Sequence, residues 1–371
     1  MRKFGFISLS IFLLFGFLPQ ASADSSVINL VSKPHQLFDG TFVNDDLALD
    51  LSPTGSLGKA LEQKRIGVRT WVIDAALLDE IADMANGYTL RNEATPTGEL
   101  IAKEWMTRLL LATSSDRIIV LPYGNPDIAL AKKLAPSELR FYSAHANERV
   151  AFHLNRRITE ENSVLSSTGK SDLSAPLRKK YTQNRQALKA LSSIVKSPEV
   201  QAQRAKLAVL LSPSLNKDEH QLFSYNAGES VAKTLNKLRV TSGKYQIASN
   251  NGKLPVTVIN NFNVAVIVNI KFMTLNSRLQ VSNIIGLQIP ANSRTQLAMP
   301  FTVIAPGATT VIGQITNKNG GVVGLPSRLA INITIFDSKV AAFTIGAAVL
   351  LFVAALTQTI RRIRKGRNEN Q

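Results

Sequence analysis

Two hydrophobic rhythms divide this chain near residue 240. Before that point, short apolar runs lead into helix-like stretches: residues 68–73 (VRTWVI) into 75–84, and residues 117–121 (RIIVL) into 128–134. A third run, residues 206–211 (KLAVLL), follows a long helical stretch. Apolar runs of this length beside amphipathic helices predict βα units around a buried, mostly parallel sheet. An α/β domain is expected over residues 24–238. Beyond it the period becomes two. Val256 and Val258 alternate, Asn260-Asn261 makes a turn, and Val264, Val266, Val268, Ile270 and Phe272 share one face. Runs at 296–303, 309–315 and 330–336 follow, separated by Ala305-Pro306-Gly307 and Asn317-Lys318-Asn319-Gly320-Gly321. Short strands at this spacing predict an all-β immunoglobulin-like sandwich over residues 240–336, without the cysteines and tryptophan of antibody domains.

The two ends read as membrane signals. Residues 340–360 carry no charge and are followed by Arg361, Arg362, Arg364, Lys365 and Arg367. A helix of that length covers about 30 Å, the thickness of a bilayer's hydrocarbon core. The basic residues place the tail, 361–371, on the cytoplasmic side and the rest of the chain outside the plasma membrane. At the other end, Arg2 and Lys3 precede an apolar run to Leu18, and Ala21-Ser22-Ala23 suits signal peptidase, so residues 1–23 are expected to be a cleaved signal peptide. Phe343, Thr344, Gly346, Ala347 and Ala348 put small residues on the span, where another membrane helix could pack.

Charge adds a local feature. The net formal charge is +17, and residues 149–206 hold twelve Lys or Arg against Glu160, Glu161, Asp172 and Glu199. For an exported module the available counter-charges are anionic wall polymers, lipid headgroups or an acidic partner, rather than nucleic acid. A helix over 176–196 would bury Leu177, Tyr181, Leu188, Leu191 and Val195 as one stripe. Arg178, Arg185, Lys189 and Lys196 fall on a second line about 100° away. That line reads either as a solvated face or as a docking strip for an anionic partner.

Candidate chemistry is sparse. The chain has no cysteine, which excludes disulfides, thiolate metal sites, a catalytic thiol and a lipid-anchor box. His35, His145, His153 and His220 show no metal-binding spacing, and no Gly-rich phosphate loop or GxSxG elbow occurs, so neither a metal nor a cofactor is expected. In α/β folds ligands gather at the carboxyl ends of the strands. Asp74 follows the first run, and Tyr123, Asn125 and Asp127 follow the second. Two such carboxylates suit a glycosidase acid–base pair, with Tyr123 beside them. Both also suit helix capping: Asp74 precedes a helix at Ala75, and Asn125-Pro126-Asp127 is N-terminal helix chemistry.

These residues carry a resemblance. Pro34-His35, Phe38-Asp39-Gly40-Thr41-Phe42, Asp45-Asp46-Leu47, Leu51-Ser52-Pro53, Gly55-Ser56-Leu57 and the run Thr70 to Leu78 are similar to an uncharacterised actinobacterial cell-envelope family. Its members are commonly encoded beside the MurJ/MviN lipid II flippase. Ala102 to Trp105, Leu121-Pro122-Tyr123 to Asp127, Gly252 to Val258 and the terminal span extend the likeness over most of the mature chain. Where that family has Asp-Pro after the first strand this chain has Asp74-Ala75, and it is shorter between Lys206 and Leu238. The resemblance implies a partial (β/α) barrel-like domain and supplies no reaction. The function expected is a non-enzymatic envelope protein that binds a peptidoglycan precursor, an anionic wall polymer or a component of lipid II export. The alternative is a hydrolase or deacetylase acting on wall glycans.

Overall fold

The structure, a computed structural model, describes residues 25–63, 67–158, 169–334 and 338–368. The expected signal peptide, residues 335–337 before the span, part of the basic segment and the end of the tail lie outside the described residues.

The N-terminal half begins with β1 (Ser25–Leu30), α1 (Asp46–Leu51), α2 (Ser56–Glu62), β2 (Val68–Asp74), α3 (Ala75–Ala85), α4 (Glu99–Thr113) and β3 (Arg117–Leu121). The strands pair in the order β1-β2-β3, all parallel. Alternation sets the faces: Ile28, Leu30, Trp71, Ile73, Ile118 and Val120 are buried, while Val27 and Asn29 point outward. Trp105 of α4 is buried, and its indole N–H donates to Leu57 O at 3.0 Å, fixing α4 against α2. Helices α5 (Ile128–Leu134), α6 (Pro136–His153), α7 (Ala175–Ser192), α8 (Pro198–Lys206) and α9 (Lys217–Leu235) complete this half. Of the expected stripe, Tyr181, Leu188 and Leu191 are fully buried on α7 and Leu177 is half-buried, while the helix ends at Ser192 and Val195, also buried, lies beyond it.

The third apolar run is not a strand. Leu207–Leu211 forms a 3-10 turn with every residue buried. A short run apolar throughout has no period that tells a strand from a buried turn. Tertiary contacts decide: Asp127 N donates to Leu211 O at 2.8 Å, and Val209 packs against Gly124. Among the described residues the parallel sheet stops at three strands and does not close, so a barrel-like domain is not what this half displays.

The second half is an immunoglobulin-like β-sandwich. Its strands are β4 (Leu238–Val240), β5 (Gly243–Ile247), β6 (Asn251–Asn260), β7 (Val266–Thr274), β8 (Leu279–Val281), β9 (Ile284–Ile289), β10 (Ser293–Val303), β11 (Gly307–Thr316) and β12 (Val322–Ile333). They form sheets of order β4-β6-β10-β8 and β5-β12-β11-β7-β9. All pairs are antiparallel except β5 with β12. Val256, Val258, Val268, Ile270, Met299, Val311 and Leu329 fill the space between the sheets. The end that carries the β11–β12 hairpin meets the first half, where Asn317 Nδ2 donates to Ser193 Oγ at 3.0 Å. From the other end the chain passes into α10 (Ser338–Asn368), a helix apolar enough over Ile345–Arg362 to cross a membrane and not buried by the rest of the chain.

Candidate functional site

The carboxyl ends of β2 and β3 are tied together by one aspartate. Asp74 Oδ1 accepts from Ala76 N at 3.0 Å, capping α3, and from Gly124 N at 2.9 Å in the loop after β3. That loop turns through left-handed backbone at Gly124 (φ 73°) and Asn125 (φ 43°). A Cβ at Gly124 would lie 2.9 Å from the Val209 backbone, so only glycine fits there. Asp127 is equally engaged: Oδ1 accepts from Leu130 N at 3.0 Å as the cap of α5, and Oδ2 from Ser171 N at 3.0 Å. Both carboxylates sit where the α/β pattern puts them, and both hold backbone.

Tyr123, the third residue expected there, points to a different carboxylate. Its hydroxyl donates to Asp79 Oδ2 at 2.8 Å. Asp79 Oδ1 accepts from Arg149 Nε at 2.8 Å and lies 2.6 Å from His153 Nε2. Asp79 is therefore a hub that joins α3, α6 and the loop after β3. Nearby, Gln36 donates to Asp83 Oδ2 at 2.8 Å and accepts from Lys206 Nζ at 2.6 Å, while Lys206 also donates to Leu37 O at 2.9 Å. Gln36, Asp79, Asp83, Tyr123, Arg149 and Lys206 line a cleft of about 760 Å³, walled on one side by α8 and the residues before it. Its charges are mixed, with Asp79, Asp83, Glu148 and Glu199 against Arg149, Lys196 and Lys206. The His145 ring lies beside Tyr123 and Phe141, centroids 5.4 and 5.9 Å away, and its buried Nε2 has no hydrogen-bond partner among the described residues. Among the described residues no His, Asp or Glu cluster is arranged to hold a metal.

The four strip residues divide. Lys196 is exposed and lines the cleft, one of its ammonium protons donated to Ser192 O at 3.0 Å. Lys189 lies 3.2 Å from Glu138 and donates to Ser137 Oγ at 2.8 Å. Arg178 donates to Leu173 O at 2.8 Å, and Arg185 is buried. Helix α7 has neighbours on two sides, α9 and α8, so it buries more than one stripe. Sequence reasoning weighed His145 and His153 only as metal ligands and missed Arg149, Asp79 and Asp83, yet a faint signal was there: His145, Arg149 and His153 recur every fourth residue on α6, and Asp79 and Asp83 do so on α3. Gln36 and Lys206 had none, being brought together only by the fold.

The electrostatics run in opposite directions. Burial raises the Asp74 carboxyl to about 7 and that of Glu80 to about 8, the latter against the charge of Lys206. Burial would also raise Asp79, but the hydrogen bonds and charges of His153 and Arg149 outweigh it and hold that carboxyl below its ordinary value. The consequences for stability have opposite signs. Asp74 and Glu80 keep protons in the fold that the unfolded chain has lost, so stability falls as pH rises from the ordinary carboxylate range toward 7–8. Asp79 contributes stability that is present above the ordinary range and lost as pH falls through its depressed value. Burial lowers the imidazoles of His35, His145 and His220, whose opposite contribution is complete by about pH 7, so thermal unfolding is expected at lower temperature at about pH 8.5 than at about pH 7. Asp74→Asn, which keeps the acceptor, should flatten that slope, and an unchanged slope would remove Asp74 as its source.

Comparison with known proteins bears on family. No curated protein matches the chain. Among solved structures it is similar to WR4, a Caenorhabditis elegans MSP family member, at 13% identity over 26% of this chain and 98% of that one, TM-score 0.20. It is similar to the CARDB domain of Pyrococcus furiosus PF1109 at 12% identity over 26% and 94%, TM-score 0.21. It is also similar to PapD-like domain 7 of human CEP192 at 9% identity over 27% and 87%, TM-score 0.21. Residues 152–368 match a family of unknown function, a stretch that takes in α7 to α9, the sandwich and α10 but not the three parallel strands. Covering more than half of the chain, that match places the protein in the DUF6049 family, a family of unknown function.

Proposed function

We propose that this protein is a single-pass, membrane-anchored binding protein of the actinobacterial cell envelope, its head outside and its basic tail inside. The sandwich serves as a spacer. The α/β head, read from the resemblance as a remnant of a (β/α) barrel, holds a peptidoglycan precursor, an anionic wall polymer or a partner in lipid II export. The observation that supports binding over catalysis is the state of the carboxylates. Asp79 meets three donors, Asp83 meets Gln36, and Asp74 and Asp127 hold backbone N–H groups. A general acid or base must reach a substrate proton, and these groups already have fixed partners. Such a network pre-organises a recognition surface instead. The mixed charge of the cleft suits a ligand with both carboxylate or phosphate and amine groups.

Lys196 links the basic strip to the cleft and is the residue to test. Full-length protein in detergent is expected to retain anionic wall polymer or lipid-linked precursor, and Lys196→Gln to lower retention about tenfold, as for the loss of one charge-assisted hydrogen bond. Asp74→Asn combined with Asp127→Asn should leave retention intact. Equal retention by Lys196→Gln would reject this cleft as the binding site. Glycan cleavage lost only in the double Asn variant would establish the hydrolase instead.

A further inference from the structure

One end of the sandwich presents large apolar side chains to solvent. The register places Ile333, where β12 ends, beside Gly307 of β11 and Ile247 of β5. Thr274 pairs with Val311 and Val303 with Leu279, so the segments 247–251, 275–279 and 303–307 gather at the end from which the chain leaves for α10. Only residues 334–337 separate Ile333 from α10, a stretch that spans at most about 14 Å. At this end Leu275 is 69% exposed and Ile304 64%. They are not on loose loops. Ile304 N and Ala305 N donate to Arg278 O at 2.8 and 3.2 Å, the Arg278 guanidinium donates to Pro306 O, and Leu275 N donates to Thr310 O at 3.0 Å. Two large apolar side chains are thus held in water by a cross-braced pair of loops.

A second observation comes from charge. Residues 238–334 contain Arg239, Lys244, Lys253, Lys271, Arg278, Arg294, Lys318 and Arg328 and not one Asp or Glu. Every formal charge on the sandwich is positive. Each Lys or Arg brought near an anionic leaflet gains about 1 kcal/mol, and apolar side chains entering the headgroup boundary add to it.

From these two observations we infer that the sandwich docks on the outer leaflet of the membrane its own helix enters, with Leu275 and Ile304 in the headgroup region and Arg278 at the anionic surface. The inference rests on the membrane reading of α10. The absence of cysteine makes the test direct. Full-length Leu275→Cys, Ile304→Cys, Lys318→Cys and Leu350→Cys, each carrying an environment-sensitive fluorophore, are reconstituted in phosphatidylglycerol and in phosphatidylcholine bilayers with lipid-borne quenchers. Lys318 lies on the hairpin at the opposite end, and Leu350 in the span. Quenching at 275 and 304 several-fold above that at 318, deeper in phosphatidylglycerol, is expected. It should be largely lost from the 304 label when Leu275→Gln and Arg278→Gln are added. Labels at 275 and 304 that behave like 318 while 350 is quenched would overturn the docking and leave the span intact. A label at 350 that is not quenched would overturn the span, and the docking with it.

Discussion

Replacing Asp79 by alanine is expected to cost the full chain about 3 kcal/mol of unfolding free energy and to abolish the retention proposed for the cleft. The substitution removes the acceptor of Tyr123 and the counter-charge of Arg149, and it takes away the partner of His153. Breaking a buried ion pair by removing one member is more damaging than never having had it, because the remaining charge stays desolvated. Arg149 keeps 30% of its side chain in water, which holds the loss to the lower part of the range for buried pairs. Urea unfolding in detergent measures it. The difference from wild type should shrink in acid, since the contribution of Asp79 disappears as pH falls through its depressed value. Asp79→Asn, which still accepts one hydrogen bond, should lose less. A difference under about 0.5 kcal/mol for the alanine variant would show that the hub does not organise the floor of the cleft.

The wall opposite depends on Glu138, and Glu138→Ala is expected to be the more damaging change, at about 4 kcal/mol. Its side chain is fully buried on α6, with Arg204 Nε of α8 at 2.6 Å and Lys189 Nζ of α7 at 3.2 Å. Arg204 also lies over the Phe141 ring, 3.9 Å from its centroid. Removing the carboxylate leaves two cations facing each other and releases α8, which lines the cleft. Burial alone would raise this carboxyl, but Arg204 and then Lys189 hold it below its ordinary value, so its stabilisation is lost in acid. Glu138→Gln keeps an acceptor for Arg204 and should fall between. The check is a double-mutant cycle with Arg204→Met, whose coupling should exceed about 1 kcal/mol. Additive effects would reject the clamp.

Much of the fold was legible because it is periodic. The runs at 68–73 and 117–121 become β2 and β3, and the period of two after residue 240 becomes the sandwich, since alternation is dictated by one buried face. The apolar stripe of α7 was read the same way, and the uncharged span falls inside α10, which continues through the basic residues to Asn368. Residues 207–211 were misread because an unbroken apolar run has no period. The site was harder. Asp74 and Asp127 announced themselves by position, and their capping chemistry, equally visible in the sequence, is what the fold uses. Asp79, Arg149 and His153 meet over some seventy residues of chain, and Lys206 reaches Gln36 over a greater distance still. Such pairings are set by how helices pack, which one sequence without a template does not encode locally.

The twelve residues of β12 also define a height. At about 3.3 Å per residue the strand is about 40 Å long, and it runs from the end that meets the head to the end that enters the helix. With α10 in a bilayer and the sandwich seated upright on it, the cleft stands some tens of ångströms above the headgroups. A lipid's own phosphate stays out of its reach. Under the binding role proposed above, the cleft would meet only the part of a molecule that projects from the surface, such as a glycan or peptide carried on a lipid tether, or a polymer strand passing overhead.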